Sequence, residues 1–76
     1  MISFGRRLAV LRELRGYSRL DLAIQIGVDR RTIYNWEHNR TIPKNYDGLL
    51  QLCKALQVPI TFWKDPDLTE NELKHC

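Results

Sequence analysis

Arg30, Arg31, Thr32, Tyr34 and Asn35 stand within six consecutive positions of this 76-residue chain, with His38, Asn39 and Arg40 close behind. These side chains are hydrogen-bonding groups rather than an acid–base set. A guanidinium can pair through two N–H groups with the O6 and N7 of guanine, and an Asn amide with the N6 and N7 of adenine. A Thr side chain offers a methyl to thymine or a hydroxyl to phosphate. Arg30, Arg31, Thr32, Tyr34 and Asn35 are therefore candidate readers of base edges, with Asn35 the leading one. Catalysis has no comparable support. His38 and His75 lack partners at triad or metal spacing, and no glycine-rich phosphate loop exists. Cys53 and Cys76 have no paired spacing that would make a disulfide framework or a zinc set. Neither an enzyme nor a cofactor nor a metal site is expected. His38 reads as a phosphate-side or solvated residue.

To present those side chains together, the segment must be a helix held by its other face. Ile33 and Trp36 lie three apart and supply that apolar face, so the polar set is left outward. The signals around it divide the chain into short helices. Ser3 caps a helix over Phe4 to Arg15, ended by Gly16. Ser18 caps a second over Arg19 to Ile26, with Asp21 near its positive end and Gly27 at its stop. Asp29 caps the third, Arg30 to His38, and Asn39 ends it in the left-handed region. A loop from Arg40 to Asn45, stiffened by Pro43, leads to a helix over Tyr46 to Leu56, closed by Val58 and Pro59. Ile60 to Lys64 form a short fifth turn, and Thr69 to Glu72 has capping-box spacing for a last one. No segment alternates with period two, so the chain is expected to be all-α, with a domain over 1–64 and a tail or short helix over 65–76.

Offsets within Arg19 to Arg40 sharpen this picture. Ala23 is small where the second helix must press on the third. Gly27 supplies the positive φ of a tight turn. Leu22, Ile26 and Val28 flank that turn. Together with Ile33 and Trp36 they describe a helix-turn-helix, whose second helix lies in the major groove of duplex DNA.

Charge agrees with a polyanionic partner. The net charge is only +3, but residues 1–44 carry nine Arg or Lys against four Asp or Glu, and residues 45–76 carry three against five. The positive charge is concentrated where the reading helix stands. No apolar run resembles a signal peptide or a membrane span, so a cytoplasmic protein without a membrane partner is expected.

Residues Phe4 to about Phe62 resemble the Xre/Cro family of phage-repressor-type domains. The matching stretches are Leu8 to Arg12, Gly16 to Ser18, Asp21 to Ala23, Ile26 to Val28, Thr32 to Glu37, Pro43, and Leu49 to Leu56. The resemblance implies a compact five-helix fold with the third helix in the major groove. It also implies a buried ion pair between Arg12 and Glu37 that braces the first helix against the third. Phosphate contacts are implied for Ser18 and Arg19, and Asn39, Arg40, Lys44 and Asn45 are candidates from the following loop. Three departures stand out. Arg19 occupies a place where the family often has Gln. Asn39 replaces the usual Gly. The loop between Pro43 and Leu49 is one residue longer than expected.

One such domain contacts only about four to six base pairs, so a homodimer on a palindromic operator is expected. Ile60, Phe62, Trp63 and Leu68 form an apolar set after the fourth helix. They are either a symmetric dimer contact or a cover for the open end of the core. The expected function is a transcriptional regulator, a repressor in its simplest form, which blocks polymerase by occupying DNA. The alternative is an antitoxin that autoregulates its operon, with Asp65 to Glu72 as the segment for a toxin partner.

Overall fold

A computed structural model describes residues 2–75 of the chain. Cys76 lies outside the described residues. Five α-helices follow one another: α1 (Phe4–Leu14), α2 (Arg19–Ile26), α3 (Arg30–Glu37), α4 (Tyr46–Leu56) and α5 (Glu70–Leu73). A 3₁₀ turn over Ile60–Lys64 lies between the last two. Among the described residues there is no strand.

Short polar side chains start these helices. The Ser3 hydroxyl accepts from the Arg6 N–H, and the Asp29 carboxylate from that of Arg31. Ser18 and Asp21 form a reciprocal capping box at α2, and the Thr69 hydroxyl caps α5. Each cap satisfies a backbone donor that has no partner inside its helix. At the other ends, α1 and α3 stop one residue earlier than the sequence suggested, with Arg15 and His38 as flanking residues.

The left-handed stop after α3 falls on Asn39, at φ 58°. Its N–H donates to the Trp36 carbonyl and that of Arg40 to the Asn35 carbonyl, a Schellman arrangement made without glycine. The end of α4 corrects the sequence reading. Val58 and Pro59 do not turn the chain there. Gln57 does, at φ 60°, a conformation its side chain disfavours. The N–H groups of Gln57 and Val58 both donate to the Cys53 carbonyl, which is what holds Gln57 in place.

The core is one cluster in which Leu8, Leu11, Leu22, Ile33, Leu52, Leu56 and Leu73 are fully buried. Ala23 is 1% exposed, so its lack of bulk lets α2 and α3 pack closely. Gly5 has a comparable role that its sequence context hides. A Cβ there would lie 2.3 Å from the Glu37 carbonyl oxygen and 2.7 Å from that of Trp36. Helix α1 therefore rests directly on the last turn of α3. The Asn39 side chain ties the same corner, accepting from the Gly5 N–H at 2.9 Å and donating to the Ser3 hydroxyl at 3.1 Å.

Residues after α4 close the core. Phe62 is buried, Leu73 is fully so, and Trp63 and Leu68 pack partly buried against the cluster. Arg7 organises this end, although nothing in the sequence distinguishes it from Arg6. It is 2% exposed, and its guanidinium donates to the carbonyls of Phe62 (2.6 Å), Ile2 (3.1 Å) and Asp65. Backbone carbonyls at the end of the 3₁₀ turn thus take the place of a carboxylate partner. On the surface, Arg6 pairs with Glu70 at 2.5 Å. The acidic segment from Asp65 to Glu72 is in this way fastened to α1, by Arg7 at one end and by Arg6 through Glu70 near the other.

Candidate nucleic-acid interface

Helix α3 is amphipathic in the sense its task needs. Ile33, Trp36 and Glu37 are buried. Arg30 and Arg31 are exposed at its first turn, Tyr34 and His38 are exposed further on, and Thr32 and Asn35 are half-buried. Ser18, Arg19 and Leu20 of α2 share a concavity with Arg30, Arg31 and Tyr34 of α3, and Arg12 also lines it. Four arginines thus line one open depression where the two helices meet, two of them paired with Glu37 and two exposed. The five candidate base readers thus all belong to α3, with neither Arg30 nor Arg31 held in a salt bridge among the described residues.

Under this surface lies an ion cluster. Glu37 has a side chain that is 1% exposed. Arg12 donates through Nε to Oε2 at 2.5 Å and through Nη2 to Oε1 at 3.3 Å. The third Arg12 nitrogen donates to the Tyr17 carbonyl at 2.8 Å. This joins α1 to α3 and to the turn before α2. Sequence reasoning did not foresee a third member. Arg19 donates through Nε to Glu37 Oε1 at 2.9 Å, so one carboxylate accepts from two arginines. Burial makes the cluster stringent, because removing either side would leave a charge without its partner in a low-dielectric site.

Tyr34 is the centre of a second cluster. Its ring stacks on His38 with centroids 4.0 Å apart and planes at 25°. The His38 Nδ1–H donates to the Tyr34 carbonyl at 2.8 Å. The Arg19 and Arg40 guanidinium carbons lie 5.3 and 5.6 Å from the ring centroid, within cation–π range.

Apart from Arg19, the residues expected to meet phosphate differ in their commitments within the chain. Ser18 accepts from the Asp21 N–H and keeps its own hydroxyl proton for an outside acceptor. Arg40 and Lys44 are exposed beside α3 and in the following loop. Asn45 caps α4 by accepting from the Gly48 N–H at 2.9 Å, which leaves its amide N–H₂ outward of that bond. Asn39 is different, because both ends of its amide are engaged with α1. Its side chain is an exposed brace between the end of α3 and the start of α1.

The four residues expected at a dimer contact are also unequal. Phe62 is used by the core of the chain itself. The Trp63 ring contacts Phe4 (centroids 4.9 Å) and meets Phe62 edge-on (5.1 Å), and its indole N–H donates to Cys53 Sγ at 3.2 Å. Trp63, Phe4 and Leu49 nevertheless line an open apolar groove with Ile42, Pro43 and Tyr46. Ile42 and Tyr46 are 66% and 61% exposed.

A polar reading helix, anchored by two apolar residues and a buried ion cluster and preceded by a tight glycine turn, defines a helix-turn-helix DNA-binding domain. The helix-turn-helix domain family matches residues 5–63, and the chain belongs to it. Among solved structures, the solution structure of the DNA-binding domain of the P22 C2 repressor (residues 1–76) is similar, with a TM-score of 0.81 and 29% sequence identity. The alignment covers 96% of this chain and 95% of that one. A search of curated proteins found no significant match. The family is a DNA-binding one and not an enzymatic one, and the fold is that of a repressor-like domain. No helix among the described residues is long and apolar enough to cross a membrane.

Proposed function

We propose that the protein is a sequence-specific transcriptional repressor that binds a palindromic operator as a homodimer. Arg30, Arg31, Thr32, Tyr34 and Asn35 read base edges in the major groove. Ser18, Arg19, Arg40, Lys44 and Asn45 hold the flanking phosphates. The carrying observation is the pair of exposed arginines at the start of α3, in no salt bridge among the described residues, beside the α2 N-terminus and above an anchored helix face. Repression needs no further activity, since an occupied promoter excludes polymerase.

An exposed apolar groove supports the proposed dimer alongside information content. The apolar groove of Phe4, Ile42, Pro43, Tyr46 and Trp63 is also lined by Lys44 and Asn45, both in the proposed phosphate set. A second copy seated there would bury Ile42 and Tyr46, and Trp63 lines the same groove. Sedimentation of Ile42→Glu should show fewer dimers than the unaltered chain.

The test of base reading is Asn35→Ala on an operator selected from random duplex DNA. It should weaken binding by about 1–3 kcal/mol and relax preference at one base pair. An equal loss on every sequence would make Asn35 a backbone contact.

A further inference from the structure

We infer that Arg19 is a positioning residue for the reading surface, joining the buried carboxylate of Glu37 to the exposed ring of Tyr34. The inference rests on this face lying on duplex DNA.

Arg19 starts α2, and its position alone suggests a phosphate ligand. The geometry gives it an inward task first. Its Nε is committed to Glu37 Oε1 at 2.9 Å. That carboxylate is itself fixed, being 1% exposed and gripped on its other oxygen by Arg12 at 2.5 Å. An anchored Nε leaves the guanidinium plane little freedom to swing. The same guanidinium lies 5.3 Å from the Tyr34 ring centroid. From the C-terminal side, His38 stacks on that ring at 4.0 Å and is held by its own bond to the Tyr34 carbonyl.

Tyr34 is thus confined by Arg19 of α2 and by His38 and Arg40 at and after the end of α3. A tyrosine on a free helix surface populates more than one rotamer. Here the ring is set before DNA arrives, so less side-chain ordering is left to oppose binding. Lysine cannot perform this task. It keeps the positive charge but lacks both the in-plane Nε–H and the flat face that lies over the ring. A phosphate ligand, by contrast, would tolerate lysine well.

The experiment compares Arg19→Lys, Tyr34→Leu and the double variant with the unaltered chain. In the free protein, Arg19→Lys should abolish the nuclear Overhauser contacts between side chain 19 and the Tyr34 ring and shift the Tyr34 and His38 ring signals. Helical circular dichroism should be unchanged. On a selected operator it should bind roughly tenfold more weakly. On unrelated duplex it should bind nearly as before, with the salt dependence retained. In the Tyr34→Leu background the substitution should have no further effect. Tyr34 is exposed, so that variant keeps its fold and tests the pair even should Arg19→Lys unfold, through loss confined to the operator. Wild-type affinity in Arg19→Lys, equal losses on both duplexes, or full additivity with Tyr34→Leu would overturn the inference. Absence of any salt-dependent duplex binding by the unaltered chain would refute the DNA reading instead, while the free-protein spectra would still decide whether Arg19 orders Tyr34.

Discussion

Gly5→Ala sets helix propensity against packing, and the two effects have opposite sign. Gly5 stands in the first turn of α1, where alanine gains at most about 1 kcal/mol of helix propensity over glycine. On propensity alone the substitution stabilises. The added Cβ, however, would lie 2.3 Å from the Glu37 carbonyl oxygen and 2.6 Å from its carbon. Such contacts are essentially never closer than 3.0 Å, so α1 must withdraw from α3 by at least about 0.7 Å. The obstructing atoms are backbone and cannot change rotamer. Overpacking of this kind costs about 1–3 kcal/mol or more, and the retreat also stretches the 2.9 Å bond from Gly5 N–H to Asn39. The expected net effect is a loss of about 1–2 kcal/mol. In a domain of this size that lowers the melting temperature by roughly 5–15 °C. Thermal unfolding followed by circular dichroism and by the fluorescence of Trp36 and Trp63 measures it. A melting temperature equal to or above that of the unaltered chain would refute the direct contact of α1 with α3.

Two other substitutions and one titration probe the rest of the fold. Gln57→Gly relieves the left-handed strain at the end of α4 and should stabilise the domain by about 1 kcal/mol, a gain of roughly 4–8 °C in thermal unfolding. Lys44→Ala removes an exposed cation from the α3–α4 loop and should weaken binding on all duplexes alike, reducing the salt slope by about 1. The hydrogen bond from Arg6, reinforced by its charge, holds the Glu70 carboxyl below the usual carboxylate range. A depressed folded pKa means the pairing contributes above the unfolded pKa and is lost as pH falls through the folded one. Acidification below the usual carboxylate range should therefore loosen α5 from α1, seen as a shift of the Leu73 methyl signals, and added salt should weaken the pairing at neutral pH.

Local signals carried much of this fold. Ser3, Ser18, Asp29 and Thr69 cap helices through bonds to residues two or three positions away, and Gly16, Gly27 and Asn39 take positive φ beside their own helices. These interactions are short-range, so residue type and spacing disclose them. The outward set on α3 follows in the same way, because Ile33 and Trp36 fix which face is inside. What escaped depends on partners far along the chain. Arg7 and Arg6 are adjacent and chemically identical, and only packing against the 3₁₀ turn makes one buried and the other exposed. The second arginine on Glu37 needed α2 and α3 to be placed before it could be seen. The side chains of Asn39 and Asn45 brace α1 and cap α4, bonds that their place in the sequence did not disclose. The stop at Gln57 had no glycine or asparagine to announce it. Phe62 gave only an apolar residue, and its division between core and interface is a property of the closed fold.

The central claim is that the surface of α2 and α3 binds duplex DNA through its phosphates and reads it through α3. Fluorescence anisotropy of a labelled operator across a salt series tests it most directly. Each neutralised phosphate contributes about −0.9 to the slope of log affinity against log salt. The account predicts a steep negative slope, with tighter binding to the operator than to unrelated duplex at every salt concentration. A flat salt response would contradict it.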